Sequence, residues 1–208
     1  MPIVTHQDEK ILGDLQIEIA KLLKEMSSKQ KSISDLEVKL ANAYTDYTRF
    51  LSFFVRKLRD LTKQLETLSR EERSGISSNE VQKNKDWVNN VDEEIEKKEQ
   101  YYDKLKDLAI QKKSLIQKRV EYANILIEMA KIRKKIVDVG MKIEEAKNKM
   151  IPVEKVANIE QRLKDLEREF ERTKKELAKK EEQLIKEREE VNEMWNAFKD
   201  TISDMELA

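Results

Sequence analysis

The chain has 208 residues, of which 40% are charged, and it contains three glycines, two prolines and no cysteine. Globular domains average about 25% charged residues with far more glycine and proline, so this composition indicates long helices or coiled coil. The 42 basic and 42 acidic residues cancel, so no net charge draws the chain to nucleic acid or to a membrane. The lack of cysteine excludes disulfides and thiolate metal sites.

The N-terminal sequence MPIVTHQDEK lacks the basic and then apolar pattern of a signal peptide. No uncharged apolar run approaches the roughly 20 residues that cross a bilayer as a helix. We therefore expect a cytoplasmic protein.

The first predicted helix runs from about residue 7 to residue 70. Its apolar residues are spaced three and four apart, which is the heptad pattern of a coiled coil, with Lys29 as a polar exception. Two consecutive steps of four around Phe54 relax the left-handed supercoil. We expect the following residues to form an inward-facing seam: Leu12, Leu15, Ile19, Leu22, Met26, Ile33, Leu36, Leu40, Ala43, Tyr47, Phe50, Phe54, Leu58, Leu61, Leu65 and Leu68.

The pattern stops in SREERSGISSNEV. Gly75 suits the position just after a helix end, and Ser78 or Asn79 suits the cap of the next helix. The second predicted helix then runs from about residue 80 to residue 149, or about 105 Å. Its second half carries two adjoining apolar stripes, which predict a middle helix with two neighbours. Gly140 lies in this half, where it either permits close helix packing or causes a bend.

A second turn follows in KNKMIPVEKV, over residues 148–155, and Pro152 suits the start of a helix. The third predicted helix runs from about residue 153 to residue 205. Thr173, Lys180 and Glu187 interrupt its seam, so we expect that part to lie at an edge, facing solvent or lipid. The apolar seam residues are Val156, Ile159, Leu163, Leu166, Phe170, Leu177, Leu184, Val191, Met194, Phe198 and Met205.

Three long helices joined by short turns predict an all-α fold, an antiparallel three-helix coiled coil forming one domain over residues 1–208. Such a fold leaves apolar surface uncovered, and Tyr44, Phe53, Val55 and Trp195 lie outside the seams. A two-fold homodimer would cover them. Aromatic residues cluster at the end opposite the Pro152 turn, so we expect the dimer interface to contain Phe50, Phe53, Phe54, Trp87, Trp195 and Phe198.

Catalytic motifs are missing from the sequence. His6 is the only histidine, and there is no phosphate-binding glycine loop and no HExxH. We predict that the chain is not an enzyme, that it uses no cofactor or metal, and that it has no small-molecule substrate.

Charge is distributed unevenly along the chain. Residues 71–103 hold ten acidic and five basic residues, a net −5, whereas residues 104–150 hold thirteen basic and six acidic residues, a net +7. These lysines either pair with nearby acids such as Glu144, Glu145 and Glu154 or face an anionic membrane. Near such a membrane each basic residue contributes about 1 kcal/mol.

The runs KKSLIQKRVEYANILIEMAKIRKKI and KMIPVEKVANIEQRLKDLEREFERTKKELAKKEEQLIKEREEVNEMWNAFKDTI resemble the second helix, tip and third helix of a BAR domain, most closely the sorting-nexin type. The resemblance implies a crescent-shaped homodimer with a six-helix centre. Its concave face and arm tips would bind and curve anionic phospholipid membranes in endocytosis or vesicle trafficking, alongside other trafficking proteins. The membrane-binding residues it implies are Lys131, Arg133, Lys134, Lys135, Lys142, Lys147, Lys149 and Lys155.

The PX domain that precedes the BAR domain in sorting nexins has no counterpart in these 208 residues, so specific phosphoinositide recognition is not expected. The main alternative is a structural or tethering coiled coil that binds only proteins. A nucleic-acid-binding coiled coil would need a concentrated basic region beside its zipper, which the sequence lacks.

Overall fold

A computed structural model describes residues 6–70 and 77–206, except for the side chains of His6, Gln7, Ser69, Lys155 and residues 204–206. It consists of three α-helices: α1 (His6–Arg70), α2 (Ser78–Asn148) and α3 (Val153–Glu206). No strand occurs within these ranges. The predicted all-α fold with three long helices is therefore confirmed.

The chain divides into two compact units, and every helix contributes to both. Unit 1 contains Met1–Ile33 and Lys113–Glu190, and unit 2 contains Ser34–Lys112 and Val191–Ala208.

The core of unit 1 joins α2 to α3. Val139, Ile143 and Ala146 on α2 are buried with Val156 on α3. The next seam residues of α3 are partly buried against this cluster, so the inward seam predicted for this part of the third helix is confirmed; they are Ile159, Leu163 and Leu166.

The polar positions in the α3 seam do not form a free edge. Lys180 Nζ lies 3.0 Å from Oε2 of Glu121 on α2. Glu187 forms an ion pair with Lys118, which also lies on α2. The Thr173 hydroxyl donates to the carbonyl oxygen of its own helix one turn earlier, at 3.0 Å. The expectation that this part of α3 faces solvent or lipid was wrong for the two charged positions, because α2 supplies a partner of opposite charge for each.

The face that α1 turns inward differs from the predicted one. Its buried residues are small or β-branched, and all of them except Thr45 recur every seven residues: Gly13, Ala20, Ser27, Ser34, Ala41, Thr48, Val55 and Thr62. The large residues one position earlier in each heptad are exposed: Leu12, Ile19, Met26, Ile33, Leu40, Tyr47, Phe54 and Leu61. The predicted inward seam was wrong for these residues and for six other exposed members of it: Leu15, Leu22, Leu36, Ala43, Phe50 and Leu68. Small side chains at a contact let two helix axes approach closely, and this favours the small stripe as the packed one.

Unit 2 has its own core, in which Val55 on α1 is buried with Val88 and Ile95 on α2. Tyr44 stacks on Tyr102 of α2, with ring centroids 4.7 Å apart and planes 4° from parallel. We expected Tyr44 and Val55 to be covered by a second copy. Val55 is instead buried against α2 of the same chain, whereas Tyr44 remains 40% exposed beside its contact with Tyr102.

The start of α2 is a capping box. The backbone N–H of Glu80 donates to the Ser77 hydroxyl oxygen at 3.2 Å, and the backbone N–H of Ser77 donates to the Glu80 carboxylate at 3.3 Å. The cap is thus Ser77, because its hydroxyl reaches the free N–H group, and the prediction of Ser78 or Asn79 was wrong. The predicted role of Gly75 lies outside the described residues.

The end of α2 is a Schellman motif. The N–H of Ile151 donates to the carbonyl of Ala146 at 3.1 Å, and the N–H of Met150 donates to that of Lys147 at 3.2 Å. Met150 has a φ of 54°, a left-handed conformation that usually selects glycine. α3 begins immediately after Pro152, as predicted.

Gly140 does not mark a close approach between helices. A Cβ placed on it would meet no atom within 4 Å among its described surroundings, and α2 continues through it without interruption.

Candidate functional site

The predicted membrane-binding residues lie in unit 1, on α2 except for two: Lys149 lies in the turn after α2, and Lys155 lies on α3 with its side chain outside the described part of the structure. The other seven separate into two groups by their contacts. One group is engaged by α1, α3 or α2 itself, and the other is free to meet a ligand.

Two of the engaged residues join α2 to α1. Lys134 Nζ lies 2.5 Å from Oδ1 of Asp14, and Arg133 donates to Oε1 of Gln16 at 3.5 Å. The hydrogen bond to Asp14 raises the pKa of Lys134 above its ordinary value. Lys134 therefore stays charged at neutral pH, and its charge serves the contact between helices.

Two more of the engaged residues lie near the end of α2. Lys147 Nζ is 3.1 Å from the Glu160 carboxylate on α3. Lys149 Nζ is 2.5 Å from the Glu145 carboxylate one turn earlier, and this hydrogen bond lowers the pKa of Glu145. These carboxylates partly neutralise the two lysines.

The remaining three residues, Lys131, Lys135 and Lys142, are exposed and have no ion-pair partner within residues 6–70 and 77–206. We call them the lysine row. At 3.6 residues per turn they fall within an arc of about 40° around α2. Two acidic residues lie about 20° beyond the edges of this arc: Asp138, which is half-buried and acts on Lys134, and Glu128, which is exposed. The row therefore presents three aligned positive charges on one helix face.

The lysine row can bind anionic groups by charge. Three lysines on a convex helix surface do not enclose a ligand, so they suit an extended anionic surface better than a small molecule. Among the described residues no helix is long and apolar enough to cross a membrane, and no group of three or more His, Asp or Glu side chains could hold a metal ion.

The six predicted dimer-interface residues lie in unit 2. Phe50, Phe53 and Phe54 on α1 and Trp87 on α2 are exposed, and Trp195 on α3 is 41% exposed. Phe198 is only 4% exposed, because it packs against Tyr101 and Trp195 of its own chain at centroid distances of 5.0 and 5.9 Å. Phe198 thus has no area left to offer a partner.

Trp195 also lines a small apolar cavity in unit 2. Its volume is about 130 Å³, and Leu40, Leu105 and Leu108 contribute to its walls. Sites for drug-sized ligands usually measure about 300–1,000 Å³, so this cavity does not suggest a small-molecule substrate.

The sequence analysis assigned the apolar face of α1 to an inward seam, and it named only Phe50 and Phe54 of this face as dimer-interface residues, whereas the whole face is exposed. Within unit 2 this face consists of Leu36, Leu40, Tyr47, Phe50, Phe54 and Leu61, each between 48% and 64% exposed. The signal that could have found it is the second seven-residue series, Ser34, Ala41, Thr48, Val55 and Thr62, which follows one residue behind the large one.

Comparison of the chain with protein-family models, with curated proteins and with solved structures found no match. The lysine row and the apolar face of α1 are therefore the observations from which a function can be argued.

Proposed function

We propose that the chain is a membrane-binding scaffold of the BAR type, acting as a homodimer on anionic membranes at the cytoplasmic side. The observation that carries this proposal is the lysine row in unit 1, Lys131, Lys135 and Lys142, which is aligned, exposed and without an ion-pair partner among the side chains that the structure describes. One lysine near an anionic leaflet contributes only about 1 kcal/mol. A dimer brings six of these lysines, which is enough for useful binding.

The BAR-type proposal adds a crescent shape and a six-helix centre, both taken from the sequence resemblance. Three helices of 65, 71 and 54 residues support it, since a scaffold that curves a membrane must be long compared with a globular domain. The exposed α1 face supports the homodimer.

The test reverses the charge of the row in the variant Lys131→Glu/Lys135→Glu/Lys142→Glu and measures co-sedimentation with vesicles that contain phosphatidylserine. We expect wild-type protein to bind at low salt and to dissociate as salt is added, because screening shortens electrostatic reach to about 10 Å at 0.1 M. The variant should lose at least about a hundredfold in partitioning.

The matched control is Lys21→Glu/Lys24→Glu/Lys31→Glu, which makes the same charge change at exposed positions of α1 in unit 1. This control should bind nearly as wild type does. Equal loss in both variants would mean that only net charge matters, and no binding of wild type at low salt would overturn the proposal.

Curvature requires its own measurement. Electron microscopy of vesicles mixed with wild-type protein should reveal tubules, and solution scattering of the protein alone should fit a curved dimer. If the particle is straight and binds vesicles without deforming them, the proposal of membrane binding stands and the proposal of a BAR-type scaffold is overturned.

The alternative function is a structural or tethering coiled coil that binds only proteins. The exposed apolar face of α1 favours it, because continuous apolar surface marks sites of protein association. A stable oligomer that ignores anionic vesicles at low salt would identify this alternative as correct.

A further inference from the structure

The apolar face of α1 in unit 2 follows a coiled-coil repeat. Leu40, Tyr47, Phe54 and Leu61 recur every seven residues, and Leu36 and Phe50 occupy the intervening position of their heptads. These correspond to the a and d positions at which one helix meets another. The face is therefore patterned for a helix as its partner, whereas a flat surface would impose no heptad repeat.

The area of this face suits a stable protein partner. Its six side chains, together with the neighbouring exposed Phe53, are about half exposed. At about 100 Å² per side chain, two such faces would bury roughly 1,400 Å² in total. Specific interfaces bury about 1,200–2,000 Å².

We propose that α1 pairs with α1 of a second copy of the chain, antiparallel, through this face. The inference rests on the homodimer in the proposed function and specifies its surface and direction. A second copy carries the same heptad repeat by necessity, and two-fold symmetry pairs a surface with itself.

A parallel pairing is disfavoured by two residues at d positions. In register, it would place Lys57 against Lys57 of the second copy, bringing like charges together in the interface. It would also place Ala43 against Ala43, leaving a gap between larger neighbours. Both residues are exposed in the single chain.

An antiparallel pairing resolves both conflicts when Tyr47 lies opposite Phe50 of the second copy. In that register the large Phe54 faces the small Ala43. Lys57 faces Leu40, over which its aliphatic stem can lie while its charge reaches water.

The same register aligns charges beside the interface. Lys39 would lie near Asp60 of the second copy, and the two-fold axis repeats this pair. Both residues are exposed in the single chain. Charge pairs that flank an apolar seam set the orientation of coiled-coil partners.

Disulfide cross-linking tests the direction, because the chain has no native cysteine. Positions 43 and 54 are about 16 Å apart along α1, too far for a bond within one chain, since disulfides need Cα atoms within about 7 Å. The variant Ala43→Cys/Phe54→Cys should therefore form covalent dimers on mild oxidation. The single variant Ala43→Cys should not, because its two thiols would be far apart in the antiparallel dimer.

The opposite result, cross-linking of Ala43→Cys alone, would indicate a parallel pair and overturn the proposal. Absence of cross-linking in both variants would overturn it as well.

Light scattering and sedimentation test the surface. Wild-type protein should have about twice the 24.7 kDa chain mass, and Tyr47→Glu/Phe50→Glu should raise the dimer dissociation constant by at least about thirtyfold. Both side chains are exposed in one chain, so helicity by circular dichroism should be unchanged. The control Met141→Glu, an exposed apolar site in unit 1, should remain dimeric. Monomeric wild-type protein, or a fully dimeric double variant, would overturn the proposal.

These measurements need no lipid, so they separate the pairing from membrane binding. A cross-linked antiparallel dimer that ignores vesicles would remove the membrane proposal and leave the pairing intact. A monomeric protein that binds vesicles would overturn the pairing and leave the proposal of membrane binding intact.

Discussion

Lys180 on α3 donates a hydrogen bond from Nζ to Oε2 of Glu121 on α2, at 3.0 Å, from a seam position where the heptad pattern calls for an apolar side chain. The two side chains are 30% and 45% exposed, so water weakens their attraction, and a pair of this kind contributes about 0.2–1 kcal/mol. The contact joins a polar seam position of α3 to α2 within unit 1.

Exchange of these two charges tests the contact. Lys180→Glu alone should lower the free energy of unfolding by about 1 kcal/mol, because two carboxylates would face each other. Lys180→Glu/Glu121→Lys should recover most of this loss. Urea unfolding of the wild type, both single variants and the double variant gives the coupling energy. Strict additivity of the two single changes would mean that the side chains do not interact.

Gly140→Ala should stabilise the chain by about 1 kcal/mol, because alanine favours a helix interior over glycine by that amount and its added methyl group meets no atom within 4 Å. The midpoint of urea unfolding should rise with an unchanged slope. The reverse change at an exposed position of α3, Ala178→Gly, should lower the midpoint by a similar amount. A loss of stability in Gly140→Ala would mean that glycine is needed for a bend.

Met150→Gly should also stabilise the chain, by about 1 kcal/mol, because residue 150 holds a φ of 54° that costs a side chain with a Cβ roughly that much. Met150 is 93% exposed, so its removal loses little packing. Thermal unfolding would detect the gain. Met150→Ala serves as the control and should give no such gain, since alanine keeps the Cβ.

Stability should fall above about pH 10, and Tyr102 is one cause. Burial, followed by the neighbouring tyrosines, raises the pKa of Tyr102 above 10.0, so the folded state keeps a proton that the unfolded state releases. This contribution is fully present below pH 10 and is lost as pH rises through the raised pKa. The hydrogen bond to Asp14 raises the pKa of Lys134, which acts in the same direction.

Urea unfolding between about pH 9 and pH 11 measures this loss. Tyr102→Phe should reduce the slope of stability against pH while leaving the part due to Lys134. An identical slope in wild type and variant would show that Tyr102 does not contribute.

The fold class could be predicted from the sequence because helix signals are local. Few glycines and prolines, long apolar periodicity and Pro152 before the third helix all act within a few residues. The seam at Ile159, Leu163 and Leu166 could be predicted for a related reason: the residues on either side of each seam position are polar or charged, so no second apolar series competes with it.

The inward face of α1 could not be predicted by apolar periodicity. Two seven-residue series lie side by side on this helix, and hydropathy selects the larger residues, such as Leu40 over Ala41. Which series packs depends on how closely α2 approaches, and that distance is a tertiary property. The ion-pair partners of Lys134 and Lys180 could not be predicted either, because Asp14 and Glu121 are remote from them in sequence.

The small size of the buried residues of α1 limits the free energy with which this helix packs against the rest of the chain. Gly13, Ala20 and Ser27 bury little apolar area in unit 1, and stabilisation follows apolar area at about 25 cal/mol per Å². α3, whose Ile159, Leu163 and Leu166 pack against the buried cluster that includes α2, has a larger contribution from the same source. Amide hydrogens of α1 in a single chain should therefore exchange with solvent at a lower free energy of local opening than those of α3.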